Sequence, residues 1–404
     1  MSAFIASGVA GLRARSNMRF ASVLSSALLA LSLAAAGCSS DSPSPGGGAG
    51  APSAGNAGAQ AGAGPSGGAG GSVTAGSGSG GSSSGSGGSL PSSGAGGDSG
   101  SGGAPAGGNA GAGGATSAMW TTNGTKYSLS FGNTYFEVDA GLGGRITSFK
   151  TGGSELLADA AATGLDDYWG STFWPSPQSF VLPPTDPTIA NIDRNPYTAK
   201  LEGGVLTLSG LPTEGKRQLS VVKKFSADVA KEAIVIEYTM TNAGPTPVDA
   251  APWEVTRVVG GGLTFYPENT APVLHDQTLV MPPTTLSNGV RWFQHSTDPN
   301  LKATKFFADG KDGWISHLTG PNKDLLLIKT FPDITPEQSP PGESEVEIYA
   351  VPTYVEIEPQ GAVETLAAGQ SSASWTVRWY ARKLAASATV GSADLVTYVQ
   401  NQIK

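Results

Sequence analysis

Through most of residues 119–404, apolar and polar positions alternate one for one, the spacing of a β-strand with one covered face. Tyr127-Ser128-Leu129-Ser130-Phe131 shows the pattern first and turns at Gly132-Asn133. The same reading predicts strands over 135–140, 145–150, 205–208, 218–225 and 233–241. Further strands are predicted over 313–318, 325–331, 344–351, 354–357 and 374–381. Breaks rich in Gly, Asn and Pro separate these runs, and Gly141-Leu142-Gly143-Gly144 reads as one such turn rather than a nucleotide loop. Only 392–403 has helical spacing, with Ser392 placed to cap it and Leu395, Val396, Val399 and Ile403 on one side. Many strands with no helices between them predict an all-β fold. The expected form is one large antiparallel β super-sandwich over 119–404 with a short C-terminal helix.

Upstream the pattern changes. Arg13, Arg15 and Arg19 precede an apolar stretch over 23–33, followed by Ala34-Ala35-Ala36-Gly37-Cys38. That order of charged, apolar and small residues resembles a bacterial secretion leader. A cysteine directly after the small residues resembles the lipoprotein signal, whose thiol receives a diacylglycerol. The apolar run is shorter than the roughly 20 residues that cross a bilayer, and Cys38 is the only cysteine. Residues 1–37 are therefore expected to be a signal peptide, with Cys38 the lipid attachment. The expected location is the bacterial cell envelope, and Ser39 beside the cysteine suits transfer to an outer membrane.

From 39 to 118 there is no aromatic, Lys or Arg, and Val73 and Leu90 are the only large apolar residues. Such a segment buries too little to offset the entropy of ordering its backbone. Its glycines fall irregularly, which excludes a collagen-like rod. Residues 38–118 are expected to form a flexible tether with a mean span of roughly 50 Å.

Charge and motif content narrow the partners. The chain has 24 basic and 32 acidic residues, net −8; three of the basic ones lie in the leader, so the remainder carries −11. An acidic chain repels phosphates, so nucleic acid is not an expected partner. His275, His295 and His317 are far apart and the domain has no cysteine, so no metal site is expected. There is no phosphate-binding loop and no Gly-x-Ser-x-Gly elbow, and no cofactor is expected.

Three segments carry candidate chemistry. The stretch 165–178 crowds Tyr168, Trp169, Phe173 and Trp174 together with Asp166, Asp167 and Gln178. Its prolines, Pro175 and Pro177, argue against regular strand pairing. Aromatic faces beside hydrogen-bonding groups suit a sugar, with its apolar C–H face and hydroxyl rim; they serve equally well to plug a sandwich. Trp253-Glu254-Val255-Thr256-Arg257 places Trp253, Val255 and Arg257 on one strand face, with Glu254 and Thr256 on the other. Tyr354-Val355-Glu356-Ile357-Glu358 places Glu356 and Glu358 on a common face, both solvated unless an arginine or a ligand meets them.

At these residues the chain resembles the galactose-mutarotase-like superfamily, and most of all an uncharacterised bacterial branch, the domain of unknown function 4380 family. The resemblance rests on Gly143-Gly144-Arg145-Ile146-Thr147-Ser148-Phe149, Trp174-Pro175-Ser176-Pro177-Gln178, Pro252-Trp253-Glu254-Val255-Thr256-Arg257, Asp312-Gly313-Trp314 and Val355-Glu356-Ile357-Glu358. It runs from about Tyr127 to Tyr380 and implies a large antiparallel super-sandwich that handles a carbohydrate. In mutarotases a glutamate near the C-terminal end acts as base on the anomeric hydroxyl while a histidine protonates the ring oxygen. Glu358, followed by Pro359-Gln360, resembles that glutamate, with Glu356 as its neighbour. The histidine motifs, expected near Trp253-Glu254 and near 169–178, are absent, and Glu254 stands as the substitute acid. The resemblance thus implies Glu358, Glu356 and Glu254 as catalytic candidates. Trp169, Trp174, Gln178, Trp253, Arg257 and Arg145 are the substrate-binding candidates. Three functions remain: carbohydrate recognition, a carbohydrate-active enzyme, and a structural or protein-interaction lipoprotein. The enzyme is an aldose epimerase, or a glycosidase or lyase with a carboxylate pair such as Glu254 and Glu358.

Overall fold

The alternating runs pair into two antiparallel sheets in a computed structural model that describes residues 118–178, 191–214 and 217–404. The leader, Cys38 and the tether up to residue 117 lie outside the described residues. The larger, 12-stranded sheet runs in the order Met119–Asn123, Lys126–Phe131, Thr134–Asp139, Arg145–Thr151, Ser171–Ser176, Val248–Val259, Tyr354–Pro359, Val346–Val351, Thr304–Ala308, Leu274–His275. Two short strands, Ser154–Glu155 and Glu364–Leu366, pair beside this path. The 10-stranded sheet has Trp314–Thr319, Leu325–Thr330, Trp375–Lys383, Ala233–Asn242 and Leu219–Asp228 at its middle. The architecture is the two-sheet antiparallel sandwich that the alternation predicts.

Aromatic pairs bridge the sheets and mark the main core. Phe136 meets Phe225 at 5.7 Å, Phe149 meets Trp379 at 5.4 Å, and Phe173 stacks on Tyr238 at 4.4 Å between ring centres. A smaller core lies on the far side of the 10-stranded sheet. There Leu395 and Val399 of the helix Ala393–Ile403 pack with Trp314, Tyr380 and a stacked Phe265–Trp292 pair. Ser392 caps that helix by accepting from the Leu395 N–H at 3.2 Å, as its sequence position predicts.

One segment departs from the sequence reading. Ser171–Ser176 is a fully buried strand, not an irregular loop, and it pairs with Val248–Val259 in the middle of the large sheet. Pro175 and Pro252 are register partners, so the two missing N–H donors fall on a single rung and the rest of the ladder stays intact. This pairing sets Trp174 opposite Trp253 and Thr172 opposite Val255.

Candidate functional site

Strand pleating sorts the candidates between the two faces of the large sheet. Glu254 points at the second sheet. Its carboxylate accepts from the Tyr238 hydroxyl at 2.6 Å and the Trp379 indole at 3.0 Å, and pairs with Lys329 at 2.6 Å. Trp253 and Arg257 face the other way, with Glu356 opposite Arg257 and Gln360 opposite Trp253 in register. The sequence-based pairing of Glu254 with Glu358 across a cleft is therefore corrected: a strand of period two puts them on opposite sides of one sheet.

On the outer face five adjacent strands present a continuous charged band. Arg257 donates to Glu356 at 2.7 Å and to the Thr172 hydroxyl at 3.1 Å. Lys305 lies 2.7 Å from both Glu358 and Glu347, which are themselves register partners on neighbouring strands. Glu358 also accepts from the Trp253 indole at 2.9 Å. Glu347 accepts from Gln178 at 2.7 Å and from Gln360 at 3.3 Å. Glu343 closes the band, accepting from Ser176, from the Gln178 N–H and from Gln360. The two carboxylates that sequence reading placed on one face are thus met by an arginine and a lysine, on a strand in the interior of the sheet order.

Aromatic rings wall the band. Trp174 and Trp253 meet edge-on at 5.3 Å, and Tyr168 meets Trp174 at 6.3 Å. The Arg257 guanidinium lies 5.4 Å from the Trp174 ring and 5.5 Å from Tyr168, while Lys305 lies 5.2 Å from Trp253. At the far end Arg145 sits 5.0 Å over Trp169 and pairs with Asp193 at 3.2 Å. Gly143 makes that approach possible: its φ is +62°, and a Cβ there would collide with the Asp193 backbone.

The electrostatics follow from burial. Glu347 and Glu358 are fully buried, while the Glu356 side chain is 13% exposed and Glu343 is partly exposed. Loss of water pushes the Glu347 carboxyl well above its ordinary range, with Glu358 and Glu343 adding to the rise and Lys305 opposing it. Burial raises Glu356 as well, against the pull of Arg257. Lys305 is raised because Glu347 and Glu358 together outweigh its own desolvation. Seven buried polar atoms on this face lack a hydrogen-bond partner among the described residues: Trp174 Nε1, Arg257 Nη2, the three guanidinium nitrogens of Arg145, Glu358 Oε1 and Gln360 Oε1. Unmet groups of this kind are rare in folded proteins and costly to leave so. A cleft of about 750 Å³ is lined by Pro177, Asn242, Asp249, Glu337 and Thr365, and none of the band's charged residues lines it.

The structure brings together Trp174, Gln178, Trp253, Arg257, Glu356 and Glu358, with Arg145 and Trp169 at one end. Lys305, Glu347, Glu343 and Asp193 belong to the same constellation and were not read from the sequence. The signal was present in 345–349, where Glu345, Glu347 and Tyr349 recur at every second position like Glu356 and Glu358. Among the described residues no cluster of His, Cys, Asp and Glu is arranged to hold a metal ion. His317 bonds to Thr264 and His295 accepts from the Gly261 N–H.

No family model matches the chain, and no curated protein does. Among solved structures it is similar to the Slr1438 protein of Synechocystis, at 14% identity and a TM-score of 0.45 over 66% of this chain and 100% of that one. It is also similar to a galactose mutarotase-like protein of Lactobacillus casei, at 10% identity and 0.40 over 66% and 100%. A galactose mutarotase related enzyme of Lactobacillus acidophilus gives 10% identity and 0.40 over 65% and 100%. Likenesses this low assign no activity and no residue roles.

Proposed function

We propose that the outer face of the large sheet recognises a carbohydrate, with Trp174 and Trp253 as apolar walls and Glu356, Glu358, Gln178, Gln360 and Arg257 as hydroxyl partners. The observation that carries this reading is the set of unmet polar atoms on one aromatic-walled face, donors on Trp174, Arg257 and Arg145 and acceptors on Glu358 and Gln360. A hydroxyl both donates and accepts, so a sugar can satisfy both kinds at once. Glu358 is the group best suited to act as a base, because one of its oxygens is held by Trp253 and Lys305 while the other is unmet. Glu347 is the acid candidate in place of a histidine, since burial favours its protonated form. The chain is read as a lipid-anchored envelope protein of the domain of unknown function 4380 kind, on the sequence grounds given above.

A glycan array on the whole chain, followed by calorimetry with the best glycan, tests the site. Glu358→Gln and Trp174→Phe should each weaken binding about 10–100-fold, the equivalent of about 1–3 kcal/mol for an unmet buried partner. A wild-type chain that binds no glycan, or variants that bind as well as it does, overturns the reading. Full burial of Glu347 and Glu358 favours a second reading, in which the band is an ion network that fixes strand register and binds nothing. Glu358→Gln would then lower stability with no ligand effect to measure.

The anchor has its own test. Cys38→Ser should move the protein from the membrane fraction to the soluble one and leave its thermal midpoint unchanged. A variant retained in the membrane pellet would show that lipidation is not the attachment.

A further inference from the structure

Around Arg145 the face gathers donors that the fold does not answer. The Arg145 side chain is 1% exposed, and none of its three guanidinium nitrogens makes a hydrogen bond among the described residues. Asp193, 3.2 Å away, supplies an opposite charge without a directed hydrogen bond. Arg257, also fully buried, donates to Glu356 and Thr172 and leaves Nη2 unmet. Charge leans the same way. Arg145, Arg194, Arg257 and, below about pH 7, Lys223 stand against Asp167, Asp193 and Glu356, an excess of one cation. Proton uptake by Glu356, which burial raises, only widens that excess. Water lies close to the two guanidiniums. Trp169 covers Arg145 at 5.0 Å and Tyr168 covers Arg257 at 5.5 Å, and both rings are only half-buried. They sit on the short loop between Gly164 and Gly170, both at positive φ, whose Asp167 meets Arg194 in an exposed ion pair at 3.3 Å.

We infer that the unmet nitrogens of Arg145 and Arg257 seat the carboxylate of an acidic sugar, a uronic acid. This rests on the carbohydrate reading above and adds the charge of the ligand to it. A carboxylate only accepts, which is what a group of unmet donors lacks, and its two oxygens match the planar fork of a guanidinium. Its single charge equals the excess of one cation, whereas a phosphate dianion would overshoot it. Tyr168 and Trp169, displaced from the two guanidiniums, offer their rings to the C–H face of the sugar. Glu356, bonded to Arg257 through Nε and not through the unmet Nη2, stays free to accept from a ring hydroxyl with its other oxygen. Burial of both arginines is what gives the contact its strength, because an ion-paired hydrogen bond out of water is worth more than one at the surface.

The test is calorimetry on the full chain at pH 6, where Lys223 is charged, with hexamers of galacturonate and of glucuronate, each beside its neutral methyl ester, and with a 6-sulfated galactose hexamer. One uronate should bind at least about tenfold tighter than its own ester, the scale of a charge-assisted hydrogen bond. The chain is acidic, at net −8, so general attraction works against this ranking. Arg145→Gln should bring the uronate down to the level of its ester and leave the ester as it was. The wild-type ranking needs no variant to be informative, so a variant that fails to fold does not remove the test. Equal binding of uronate and ester, tightest binding of the sulfated hexamer, or an unchanged preference in a folded Arg145→Gln overturns the carboxylate and leaves the carbohydrate reading standing. Failure to bind any of the five overturns the carboxylate; failure across a full glycan array as well overturns both.

Discussion

Lys329→Met should cost about 3–5 kcal/mol of folding stability, because it strands a carboxylate between the sheets. Lys329 and Glu254 are both fully buried and lie 2.6 Å apart. Lys329 also donates to the Thr256 hydroxyl at 2.6 Å and sits 4.8 Å over the Trp379 ring. Burial lowers the lysine's pKa and Glu254 pulls it back up. Once the ammonium is gone, Tyr238 and Trp379 still donate to Glu254, but two neutral hydrogen bonds do not replace a charge in a fully buried site. The double variant Glu254→Gln/Lys329→Met removes both charges and should recover most of the loss, since an uncharged pair carries no desolvation penalty. Urea unfolding of the wild type, both singles and the double gives the coupling directly. A single variant within about 1 kcal/mol of wild type would mean that the ion-pair assignment fails.

The same network shows what the sequence could and could not reveal. Strands with one polar face, such as Lys126–Phe131 or Ala233–Asn242, alternate visibly because water covers one side. Val248–Val259 is buried on both faces over most of its length, so its polarity alternates between two interiors and not between core and solvent. Ser171–Ser176 was hidden by Pro175, and only the register with Pro252 explains how a proline sits in a central strand. Period two was enough to put Glu356 and Glu358 together, but not to show that Glu254 lies on the opposite side of the sheet from them. It could not show that Lys305, 53 residues from Glu358 in the chain, is the cation that meets it. Contacts of that range are made by sheet order, which local spacing does not contain.

Lys223 should make the folded state gain stability as pH rises from about 7 towards 10.5. Burial pulls this lysine from its ordinary 10.5 down to about 7; Asp193 and Glu254 resist, and Arg145 pushes the same way as burial. Its ammonium donates to the Gly143 carbonyl at 2.6 Å and the Gly144 carbonyl at 3.3 Å, and lies 5.1 Å from the Tyr197 ring. Two carbonyls and a ring hold it in place but supply no opposite charge in contact. Between the two pKa values the unfolded chain keeps a proton that the folded chain has released, so stability rises with pH by about 1.4 kcal/mol per unit from this group. Below about 7 both states are charged and the full burial penalty stands; above 10.5 both are neutral and the contribution vanishes. Lys223→Met removes the titration, so the informative quantity is the stability of wild type minus that of the variant, measured by urea unfolding from pH 5.5 to 10. Any fixed cost of fitting methionine shifts that difference without tilting it, and other groups that titrate in this range cancel. The difference should be flat at the acid end and climb by several kcal/mol above pH 7. Parallel curves across the whole range would show that Lys223 stays charged in the folded protein, held by Asp193 and Glu254 more strongly than burial opposes them.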